Sequence, residues 1–86
     1  MTPEEVAEYN EEALIVDGFD KAIIGVAERI NLGPVAAYDV ETILEILMER
    51  DEMDYEEALE YFNYNIIGSW MGEHTPVFIY KSDKLW

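Results

Sequence analysis

The sequence predicts an α+β fold: a small, mainly antiparallel sheet of three or four strands covered by an acidic two-helix hairpin, with a short N-terminal helix. Three observations carry this expectation. Apolar residues recur at i, i+3 and i+4 over residues 40–48 and again over 55–66, the spacing of a helix with one buried face. Short apolar runs flank that region, Ala13-Leu14-Ile15-Val16 before it and Val77-Phe78-Ile79-Tyr80 after it, and both read as strands. Thr2-Pro3-Glu4-Glu5 reads as a helix start. Helices would then lie over one face of the sheet.

Taken in order, Thr2 is a capping residue, Pro3 suits the first helical position and Glu5 completes a capping box, so a helix is expected over 1–12, turning Val6 and Tyr9 inward. The run 13–16 ends at Asp17-Gly18, a turn signal. Residues 22–30 fit two patterns. Ala22, Ile23, Val26, Ala27 and Ile30 form a helical stripe, whereas Ala22, Ile24, Val26 and Ile30 share one face of a strand. Gly25 and the adjacent Ile23-Ile24 pair favour the strand. Asn31-Leu32-Gly33-Pro34 breaks the chain, and Val35-Ala36-Ala37-Tyr38 resumes it, which reads as a hairpin. Asp39 is the expected cap of a helix with Val40, Ile43, Leu44, Leu47 and Met48 inward, Glu41 in its first turn and Arg50 in its last. Asp54 and Glu57 form a capping box for the next helix, whose apolar face is Tyr55, Ala58, Leu59, Phe62 and Ile66 and whose end falls near Gly68 or Gly72. The short gap between the two helices predicts an antiparallel hairpin over 39–68. Thr75-Pro76 is a break before a final strand at 76–81, and 82–86 is expected to be a mobile tail. The chain of 86 residues is expected to be one domain with a small core.

Charge limits the function. The chain has 20 acidic and 5 basic residues, a net charge of −15. Seven acids and no base lie in residues 1–20, and ten acids with Arg50 alone lie in 39–60. Such a field disfavours direct binding of nucleic acid and favours basic partners. Aromatic residues make up 13 % of the chain, too many for a disordered acidic tail. There is no cysteine, hence no disulfide and no thiolate metal site. Apolar runs stop far short of a membrane span, and Met1-Thr2-Pro3-Glu4-Glu5 has no secretory-signal character, so the expectation is a cytoplasmic protein without membrane contact.

The order of short motifs is informative as well: Asp17-Gly18-Phe19-Asp20, Ala22-Ile23-Ile24-Gly25-Val26, Ala37-Tyr38-Asp39, Ile46-Leu47-Met48, Tyr55-Glu56-Glu57-Ala58, Tyr61-Phe62, Asn65, Gly68, Gly72-Glu73 and Thr75-Pro76-Val77-Phe78. In that order it resembles a group of short, uncharacterised proteins encoded by phages and mobile elements. The resemblance implies an accessory protein that binds a host protein; it implies no activity.

Two sets of residues are the candidate partner-binding site. Glu41, Glu45, Glu49, Glu52, Glu56 and Glu60 recur every three or four residues across the hairpin. A helical turn rises about 5.4 Å, comparable to the spacing of phosphates along a nucleic-acid strand, so this row could enter a cleft built for a phosphate backbone. The plainer reading is a solvated helix face, although like charges at i, i+4 cost each helix a few tenths of a kcal/mol per pair and only Arg50 offsets them. Tyr64, Asn65, Trp70 and Glu73 form the second set, beside Asn63, Ser69 and Met71, where large apolar side chains meet amides near glycines. The competing reading folds these aromatics into the core, with Asn65 bracing a backbone carbonyl.

No cofactor or metal site is expected. The Asp51-Glu52-Met53-Asp54-Tyr55-Glu56-Glu57 stretch lacks the calcium-loop glycine and spacing. His74 has no recognisable nucleophile, Ser69 sits in no G-x-S-x-G context, and an exposed titrating loop histidine is expected. The sequence therefore favours a non-enzymatic protein that inhibits a basic, nucleic-acid-binding host protein, as an anti-CRISPR, anti-restriction or transcription-blocking factor. The alternative is a structural or assembly module, including a homodimer, whose acidity serves solubility.

Overall fold

The computed structural model describes residues 1–82, and the fold is α+β: three helices and a three-stranded sheet. The expected mobile tail lies, from residue 83 on, outside the described residues. Thr2 caps α1 (Pro3–Tyr9) with both bonds of the capping box in place, Glu5 N–H to Thr2 Oγ1 at 3.2 Å and Thr2 N–H to Glu5 Oε1 at 2.9 Å. Those bonds to Thr2 hold the Glu5 carboxyl below its usual range. Val6 is buried as expected, but Tyr9 is exposed and the helix stops before Glu11. Asn10 ends it by leaving helical geometry, and its side chain reaches away to the Pro34 carbonyl at 2.8 Å.

The run 13–16 is not a strand. Its Leu14 N–H donates to the His74 carbonyl and its Val16 N–H donates to the Tyr38 hydroxyl at 2.8 Å, so no ladder forms. The turn at Gly18 and a short 3-10 turn, Asp20–Ala22, lead into β1 (Ile23–Ala27). The ambiguous stretch 22–30 thus resolves as a strand. β1 pairs antiparallel with β2 (Val35–Asp39), with an irregularity between Ile23 and Gly25. β3 (Val77–Ile79) joins the other side of β2 in parallel, so the sheet is mixed, with order β1-β2-β3. A three-residue strand at an edge is a weak template for further pairing.

All five residues of β2 are buried, which fits its central place. Tyr38 and Phe78 are register partners, stacked with ring centroids 5.7 Å apart, and Phe62 meets Phe78 edge-on at 5.6 Å. This aromatic stack joins the sheet to the helices. α2 (Val40–Arg50) buries Val40, Ile43, Leu44 and Leu47. α3 (Tyr55–Tyr61) follows after residues 51–54, capped by Asp54 and Glu57 as expected. The two helices contact each other.

Three expectations for this hairpin need correction. The Asp39 side chain makes no capping bond to the helix backbone. It is buried at the end of β2, where its Oδ2 accepts the Thr42 hydroxyl at 2.6 Å and lies 3.6 Å from Lys81 Nζ. Tyr55 is exposed, because it sits in the first turn, beyond the sheet's reach. Leu59 is only partly buried, so Ala58, Phe62 and Ile66 carry the inner face. Helical winding then widens into a six-residue π-turn, Phe62–Ile67. It ends at Gly68, where a Cβ would lie 2.9 Å from the Tyr64 carbonyl oxygen; only glycine fits.

Tyr38 is fully buried, and desolvation raises its phenol above the usual 10.0 despite the bond from Val16. The neutral form is therefore favoured in the fold. The stability this confers is fully present below pH 10 and is lost as pH climbs through the raised value. Alkaline denaturation should accordingly track ionisation of one tyrosine, read by phenolate absorbance. Tyr38→Phe leaves the Val16 N–H without its partner and should cost about 1–3 kcal/mol, read as a lower urea midpoint.

Candidate functional site

One glutamate of the acidic row, Glu60, meets Tyr64 and Asn65 of the second set. Glu41, Glu45 and Glu49 are four residues apart on α2, which sets them along one stripe about 6 Å per step. Glu56 and Glu60 repeat the spacing on α3. Glu52 lies in the turn between them with φ 55°, a left-handed conformation uncommon for a residue with a Cβ. All six are exposed, and none of their carboxylates forms a hydrogen bond or ion pair among the described residues. Arg50, the one base in this block, is engaged elsewhere. Its guanidinium donates to the Gly18 carbonyl at 3.0 Å, pairs with Asp51 at 3.2 Å and lies 4.9 Å from the Phe19 ring centroid. The bond to Asp51 raises its pKa further above the usual range. The row's negative charge is thus left uncompensated.

The second set splits. Tyr64 is 81 % exposed and Trp70 76 %, joined on the surface by Tyr61, Ile67 and Met71, so these aromatics do not fold into the core. Asn65 braces the chain as the sequence allowed: its Nδ2 donates to the Tyr61 carbonyl at 3.3 Å, and Ser69 Oγ donates to the Asn65 carbonyl at 3.0 Å. Glu60, Tyr64 and Asn65 come together, with Tyr61, around an open depression of about 310 Å³. Asn65 also borders a second groove of about 240 Å³ floored by Ile66 and Phe78. Glu49 borders a third depression, of about 530 Å³, beside Lys21 and Arg50. Glu41, Glu45, Glu52, Glu56, Trp70 and Glu73 are surface residues outside these three. The π-turn is what brings Tyr64 and Asn65 to the rim, and such turns are frequent at functional sites. Spacing cannot reveal it, because Phe62 and Ile66 are inward in either kind of winding.

His74 is not a free loop histidine. Its Nε2 lies 3.0 Å from Glu12 Oε2 and its Nδ1 3.3 Å from Asn10 Nδ2, tying the end of α1 to the approach to β3. The partners are sixty residues away in sequence, so no local pattern signals them. No group of three or more metal-ligating side chains occurs among the described residues, and no helix there is long and apolar enough to cross a membrane.

No family model, no curated protein and no solved structure matches this chain. Its function must be argued from its own surface.

That surface makes one measurement direct. Trp70→Ala removes an exposed side chain, so stability should move by no more than about 0.5 kcal/mol. If Trp70 anchors a partner, affinity should fall by about 2 kcal/mol or more. Thermal melting and partner titration of the same variant separate the two effects.

Proposed function

We propose that the protein acts by binding, without catalysis, and that it occupies the nucleic-acid cleft of a basic host protein. The observation that carries this reading is the hairpin's row of six exposed glutamates, none of them in an ion pair among the described residues. Like charges at this spacing oppose helix formation, which a surface serving solubility alone would relieve with interspersed lysines. The net charge of −15 would speed encounter with a cationic cleft. Tyr64, beside Glu60, and the exposed Trp70 would supply the short-range contacts that charge alone does not. The resemblance to short phage-encoded proteins agrees with inhibition of a host restriction, CRISPR or transcription component, in the host cytoplasm.

The test is capture from bacterial lysate on the immobilised protein, followed by elution with duplex DNA. Basic nucleic-acid-binding proteins should be retained and displaced by DNA. Retention that DNA leaves untouched would contradict the reading. The exposed patch of Tyr61, Tyr64, Ile67, Trp70 and Met71 also fits self-association; a concentration-dependent dimer in sedimentation, abolished by Trp70→Ala, would favour the assembly module instead.

A further inference from the structure

The groove of about 240 Å³ between the π-turn and residues 14–17 has a chemistry of its own. We propose that it receives one arginine side chain of the basic partner, an inference that rests on the reading of a cationic partner and specifies its contact. The volume suits a single long side chain. Ile15, Val16, Ile66 and Phe78 line it with hydrocarbon, which favours a methylene stem. Its polar lining includes Asp17, Asn65 and Ser69. Each of the three presents an oxygen that can accept. Asp17 is a carboxylate with no hydrogen bond or ion pair among the described residues. Asn65 gives one of its two amide N–H groups to the Tyr61 carbonyl, and its Oδ1 is left to accept. Ser69 spends its hydroxyl proton on the Asn65 carbonyl, leaving its oxygen lone pairs. Thr75, also in the lining, accepts from the Met71 N–H and donates to the Gly72 carbonyl, so it adds no free donor.

An acceptor-rich rim that includes the Asp17 carboxylate, over an apolar floor, favours a cationic, donor-only head on an apolar stem. Among side chains that describes arginine and lysine. Three separate acceptors favour the planar guanidinium, with five donors in a fixed fork, over the compact and more strongly hydrated ammonium. The chain's net negative charge acts in the same direction.

The test titrates the full chain with N-acetyl-arginine amide and, separately, with the norleucine and lysine analogues, reading amide NMR shifts. Arginine amide should shift the backbone signals of Ile15 and Val16 and the side-chain amide of Asn65 along one saturable curve. Asp17→Asn should weaken that curve by about two- to fivefold, the effect of losing one exposed charge pair. Norleucine amide binding as tightly would overturn the proposal by showing a merely apolar pocket. Lysine amide binding as tightly would overturn the choice of guanidinium. Shifts confined to the hairpin glutamates would overturn it by showing diffuse ion pairing. The titration needs no partner, so its failure is distinct from failure of the host-protein reading: replacing the hairpin glutamates should leave arginine binding in the groove unchanged whatever it does to the partner.

Discussion

Phe62→Ala should remove a large part of the domain's stability. Phe62 is fully buried and its ring meets Phe78, which stacks on Tyr38, so one truncation opens the joint between π-turn and sheet. Removing a buried phenylalanine costs about 3–5 kcal/mol, including the cavity left behind. A chain of 86 residues has a total stability on the order of 4–13 kcal/mol at about 0.05–0.15 kcal/mol per residue. Leu59→Ala, at a partly buried position, should cost only about 1 kcal/mol. Urea denaturation of the two variants checks the contrast. Equal midpoints would show that the aromatic joint does not hold the helices to the sheet.

What was legible in the sequence depended on how local its cause was. Both capping boxes, the β1–β2 hairpin and the end of helical winding at Gly68, the first of the two glycines expected to end it, follow from residues within a few positions of one another. Elements decided by distant partners were misread. The run 13–16 has the composition of a strand, but its Leu14 and Val16 N–H groups are taken by the His74 carbonyl and the Tyr38 hydroxyl. Asp39 has the position of a helix cap, yet Thr42 and Lys81 take its carboxylate. Tyr9 and Tyr55 have inward helical phase and still face solvent, since short helices leave their outer turns uncovered. The candidate site divides in the same way. Exposure of Glu41, Glu45, Glu49, Glu56 and Glu60 follows from helical phase alone, and that of Glu52 from its place in the turn. The rim formed by Glu60, Tyr64 and Asn65, and the groove that joins Asn65 to residues 14–17, needed the π-turn and the packing of a distant loop, neither of which leaves a periodic trace.

The second large effect is on binding. Replacing Glu45, Glu49, Glu52 and Glu56 with glutamine removes four exposed charges that form no ion pair among the described residues. Stability should hold or rise, because like-charge repulsion along each helix falls by a few tenths of a kcal/mol per pair. If each charge contributes to a partner as an exposed ion pair does, about 0.2–1 kcal/mol, their joint loss should weaken binding by roughly fourfold to several hundredfold. Salt should act in the same sense. The screening length shrinks from about 30 Å at 0.01 M to about 8 Å at 0.15 M, while the molecule measures 38 × 33 × 21 Å, so at low salt the whole acidic surface pulls on the partner and at physiological salt only the nearest charges do. The decisive measurement is the affinity of the captured partner for the native chain and for this quadruple variant across that salt range. A steep fall with salt for the native chain, and a weak, nearly flat curve for the variant, is the expected result; equal affinities with parallel salt dependence would show that the acidic hairpin does not bind the partner.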